Sequence, residues 1–78
     1  MNKNELAYYV NSMASNIVNE SEEVAVRMNC RLLFSFKELD LISNSCYSKC
    51  YFLLESNEAS DVATVQSILA EELNLNDF

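Results

Sequence analysis

Apolar positions follow two rhythms along this chain, helical towards both termini and alternating in the middle. Between residues 4 and 20, Leu6, Val10, Met13 and Ile17 recur at three- and four-residue spacing. Tyr9 and Ala14 widen the stripe, and Asn11, Ser15 and Asn19 lie across from it. That spacing places one apolar face on a helix. Asn2 and Glu5 have the spacing of a capping box at its start, with Asn4 as a competing cap. A second stripe, Val62, Val65, Leu69 and Leu73, predicts a helix from Ser60 or Asp61 to about Leu73, with Ile68 beside it.

The middle of the chain reads differently. Val24, Val26, Met28, Cys30, Leu32, Phe34 and Phe36 take every second position, with Ala25, Arg27, Asn29, Arg31, Leu33, Ser35 and Lys37 between them. In a strand, one face of this run is wholly apolar and the other carries three positive charges. A helical reading collects Ala25, Met28, Leu32, Phe36 and Leu39 but leaves Val24, Cys30 and Phe34 off the stripe. Val, Asn, Cys, Phe and Ser are also mediocre helix formers, so the strand is the favoured reading.

Beyond Phe36 the alternation shifts by one residue at Lys37–Glu38, as an inserted residue would cause, and a turn at Ser43 and Asn44 leads to a second strand over about 46–54. Pairing the two strands gathers Leu32, Phe34, Phe36, Leu39, Leu41, Cys46, Cys50, Phe52 and Leu54 on one surface. A short helix over 36–43, capped by Ser35 and Glu38, is the other reading of the link. The expected fold is α+β: helix, two- or three-stranded antiparallel sheet, helix, with both helices on one sheet face. A three- or four-helix protein is the main alternative. Leu75 and Phe78 are expected to fold back on an edge of the core.

At 78 residues the chain, 1–78, is read as a single domain. A domain this small buries only about 60% of its extended surface, which makes self-association a natural way to add core. Half of the residues are apolar, so a packed interior is expected. The formal charge of -7 is unevenly placed: -3 over 1–23, +2 over 24–54 and -6 over 55–78. Such a balance disfavours nucleic acid and anionic membranes and favours basic protein partners. The acids candidate for partner binding are Glu20, Glu22, Glu23, Glu55, Glu58, Asp61, Glu71, Glu72 and Asp77. Glu20, Glu22 and Glu23 are read as the end of the first helix, where they would oppose its dipole.

The open face of the expected sheet displays Arg27, Arg31, Leu33, Tyr47, Lys49, Tyr51 and Leu53, which are the candidate dimer interface because Tyr and Arg anchor interfaces and the leucines add apolar area. Single-stranded nucleic-acid binding on that basic and aromatic face is the alternative function. Chemistry is scarcely provided for. With no His and no Gly, His-based triads, His metal sites and glycine-rich phosphate loops are all ruled out. Cys46 and Cys50 lack redox Cys-x-x-Cys spacing and, with Cys30, read as core thiols. No catalytic residue, metal site or cofactor is expected. The odd cysteine count and the lack of a spanning segment suit a cytoplasmic setting. The expected function is a non-enzymatic protein-binding module, an inhibitor or regulator whose acidic surface occupies a basic groove of a larger protein.

Overall fold

The computed structural model describes residues 1–75, and these form four helices: α1 (Lys3–Asn19), α2 (Glu22–Glu38), α3 (Asn44–Ser56) and α4 (Ala59–Glu72). There is no strand among the described residues, so the expected α+β sheet and the dimer face drawn on it do not exist. Residues 24–36 belong to one continuous helix, and residues 46–54 to another.

The buried face of α2 shows why the alternating pattern misled. Ala25, Asn29, Leu33 and Phe36 point inward at helical spacing, each at most 1% exposed. Asn29 interrupts the hydrophobic stripe in sequence, whereas in the fold it is satisfied by α1. The apolar Phe34 and Met28 are exposed instead. Alternation therefore placed them in the core and left Leu33 outside, the reverse of the burial that packing produces.

Local capping also favours the helix. The Ser21 hydroxyl accepts from the Val24 N–H at the start of α2, and Glu22 and Glu23 occupy its first turn. These carboxylates thus stabilise the positive end of α2 rather than burden the end of α1. Ser43 is not in a hairpin turn; it caps α3 by accepting from the Cys46 N–H at 3.1 Å. Asn2 and Glu5 form the expected capping box on α1.

A chain without glycine must end its helices with something else. Asp40 and Asn74 take left-handed φ values of 60° and 58°. At the end of α2 the Leu41 N–H donates to the Phe36 carbonyl and the Asp40 N–H to that of Lys37. Leu75 and Asn74 repeat this pattern on Ala70 and Glu71. Both are Schellman terminations, built on the two residue types that best tolerate this backbone after Gly. Asn57, at φ 55°, ends α3 in the same backbone region.

Each helix packs on its neighbours in sequence, and α1 closes the ring against α4, while the diagonal pairs stay apart. The two-residue links after α1 and α3 force antiparallel neighbours, an up-down-up-down bundle. Its core joins Leu6, Val10 and Met13 of α1, Leu33 and Phe36 of α2, Cys46, Cys50 and Leu54 of α3, and Val62, Val65, Leu69 and Leu73 of α4 or its cap, with Ile42 from the α2–α3 link. The faces expected for α1 and α4 are largely the ones buried, but Tyr9 and Ile17 are only half-buried and Ala14, expected to widen the α1 stripe, is exposed.

Three amide side chains tie the bundle across helices. Asn29 Nδ2 donates to the Met13 carbonyl at 3.2 Å, while Asn16 Nδ2 donates to Asn29 Oδ1 at 2.9 Å. Gln66 Nε2 on α4 donates to the Val10 carbonyl at 2.9 Å. Leu75 is half-buried against the core, whereas Asp77 and Phe78 lie outside the described residues.

Candidate functional site

The up-down order decides which charged residues share a surface. The α1–α2 and α3–α4 links lie at the same end of the bundle, here the upper end, and the α2–α3 link lies at the lower end. Glu20, Glu22, Glu23, Glu55, Glu58 and Asp61 therefore meet at the upper end, although more than thirty residues separate the two sets in sequence. Glu71 and Glu72 fall at the lower end, where the Ser43 N–H approaches Glu72 Oε1 at 3.5 Å. The described acidic residues singled out from sequence thus divide between two poles.

Helix dipoles account for some of the upper cluster. Glu22 and Glu23 lie in the first turn of α2 and Asp61 in that of α4, where negative charge is favoured. Glu23 also pairs with Arg27 at 3.2 Å, an exposed i,i+4 contact of small energetic weight. Asp61 Oδ2 accepts from the Ser56 hydroxyl at 2.6 Å. Glu55 is different, because it lies in the last turn of α3, the negative end of that dipole. Glu58 occupies the N-cap of α4 without making a side-chain capping bond.

The residues assigned to a dimer face are dispersed. Leu33 is fully buried, and Leu53 is half-buried against the core. Arg31 borders a hollow between α1 and α2 with Tyr8, Tyr9, Met28 and Leu32. Tyr47 and Tyr51 lie against the other flank of α2. No single face combines these cations and rings, which removes the sheet platform on which the nucleic-acid alternative was built.

What the helical fold does assemble is an aromatic ridge on α2 and α3. Phe34 meets Tyr47 edge-on with ring centroids 6.3 Å apart, and Tyr47 lies 5.9 Å from Tyr51. Lys37 Nζ sits 5.5 Å from the Tyr47 ring centre, a cation–π contact. Phe52, expected inside, is 76% exposed. Together with Tyr47, Ser48, Tyr51 and Glu55 it lines a hollow of about 390 Å³. The signal for this ridge was present in the sequence as i,i+4 pairs, Tyr47–Tyr51 and Ser48–Phe52, and was hidden by reading the segment as a strand.

The thiols carry no reactive signature. Burial pushes the Cys50 thiol up to about 12, with the adjacent Cys46 adding to the effect. Cys46 is also raised by burial, and Cys30, which is only half-buried, is raised by burial and then by the Glu55 carboxylate. A raised value means less thiolate, hence less nucleophile and less metal ligand at neutral pH. No group of His, Cys, Asp or Glu among the described residues is arranged to hold a metal ion. No helix among them is long and apolar enough to cross a membrane. Compared with known proteins, the chain matches no family model, and no curated protein or solved structure is significantly similar to it.

Proposed function

We propose that this protein is a non-enzymatic binding module that inhibits or regulates a larger protein by placing its acidic upper end in a basic groove. The observation that carries this reading is the convergence of Glu20, Glu55 and Glu58 with Glu22, Glu23 and Asp61 at one pole. Glu55 is unfavourable to its own helix, so local stability does not explain its sign. Concentrated like charge raises the potential at that pole and steers a cationic partner towards it. The partner class is a protein with a basic, concave surface, and a cytoplasmic setting agrees with the free thiols.

The test compares two charge reversals that change net charge equally. Glu20→Lys with Glu58→Lys alters the upper pole, and Glu71→Lys with Glu72→Lys alters the lower. Proteins captured from host lysate by the wild type and released by salt should be lost with the upper pair and retained with the lower. Equal loss with both pairs, or capture indifferent to either, would reject the docking pole in favour of a generally solubilising charge.

A further inference from the structure

The hollow on α3 is bounded by residues of opposite character at its two ends. Tyr47, with Lys37 held over its ring, closes the lower end, and Glu55 closes the upper. Eight residues of helix separate Tyr47 from Glu55, about 12 Å. Between them the small Ser48 lies one helical turn below Phe52, whose ring projects into solvent. One face therefore carries a knob, a gap beside it, a cation at one end and an anion at the other.

Such a face is complementary to itself. A two-fold axis crossing α3 near residue 50 superposes level 52 of one copy on level 48 of the other, and brings the Glu55 end opposite the Lys37 end. A symmetric contact of this kind repeats each complementary pair twice. Exposed Phe34, Tyr51 and Phe52, at 46%, 39% and 76%, would otherwise leave a run of aromatic surface in water. Phe52 lies outside the core of the bundle, with most of its surface in water.

We infer that the α2–α3 face is a homodimer interface in which α3 packs antiparallel on α3 of a second copy. Phe52 of each copy seats over Ser48 of the other, between Tyr47 and Tyr51, and Glu55 pairs with Lys37 across the axis. The acidic upper poles then lie at opposite ends of the dimer. Glu55 is common to both readings: in the dimer Lys37 of the second copy meets its charge, which leaves Glu20, Glu22, Glu23, Glu58 and Asp61 to a basic partner.

Sedimentation equilibrium of the full chain, at low and high salt, tests it. The wild type should show a concentration-dependent dimer that salt weakens. Phe52→Ser, at a position exposed in the bundle, should weaken association about thirtyfold with helicity unchanged, as loss of a central aromatic anchor does. Lys37→Glu and Glu55→Lys should each weaken it about tenfold, and the double exchange should restore it. A monomer up to millimolar concentration, a dimer indifferent to Phe52→Ser, or a double exchange no better than its single variants would each overturn the assignment.

Discussion

Asn16 on α1 donates to Asn29 on α2 across 2.9 Å, and Asn29 in turn donates to the Met13 carbonyl. With 1% of its surface exposed, Asn29 is the buried polar residue of the core. Its amide fixes how α1 and α2 are aligned, because sliding either helix by one residue would leave these polar groups unpaired in a dry interior. Asn29→Ala is expected to lower stability by about 1–3 kcal/mol. Asn29→Asp should cost more, since an ionised carboxylate would face a carbonyl oxygen. Urea denaturation of the variants checks both, and an unperturbed Asn29→Asp would refute the buried bond.

Positions 52 and 54 distinguish helix from strand most directly. A strand would turn both towards the core, whereas α3 buries Leu54 at 1% exposure and leaves Phe52 outside. Leu54→Ala should cost about 2–5 kcal/mol. Phe52→Ala should change the stability of the monomer by only about 0.5 kcal/mol. Thermal unfolding at concentrations too low for association should show this contrast.

Asp40 supplies the left-handed termination of α2 where glycine is usual. Asp40→Gly should stabilise by roughly 0.5 kcal/mol, the relief of Cβ crowding being partly offset by a more disordered unfolded chain. Asp40→Val should destabilise by about 1–2 kcal/mol. Equilibrium unfolding of the two variants should shift in opposite directions.

The start of α2 makes a further prediction. Ser21→Ala removes the hydroxyl that accepts from the Val24 N–H and should cost about 1 kcal/mol. Glu22→Lys should destabilise further at low salt, because it places a cation at the positive end of the helix. Had these residues ended α1 instead, Glu22→Lys would stabilise, so the sign of the change decides between the two assignments.

Alkali should unfold the bundle through its buried thiols. The Cys50 value is raised from 9.0 to about 12 by burial, so its neutral form is favoured by folding. For a group raised on folding, the contribution is complete below the unfolded value and is lost as pH climbs towards the folded one. Stability should therefore fall progressively above pH 9 and level off near 12, with Cys46 adding to the slope. Melting temperatures across this range should decline less steeply for Cys50→Ala than for the wild type.

The sequence by itself determined the two outer helices and their inward faces, because Leu6, Val10 and Met13, and Val62, Val65 and Leu69, keep helical spacing without interruption. It also rules out His-based triads and glycine-rich phosphate loops, which follows from residue types and not from their placement, since the chain has no His and no Gly. Tertiary structure decided the middle. Only contact with Asn16 and Met13 makes Asn29 an interior residue, and only then do Ala25, Leu33 and Phe36 form one face with it. The same step turned Phe34 and Phe52 outward and put Glu20 and Glu58 at one end of the bundle, since a buried amide depends on partners that local spacing does not contain and a shared pole depends on the order in which helices reverse.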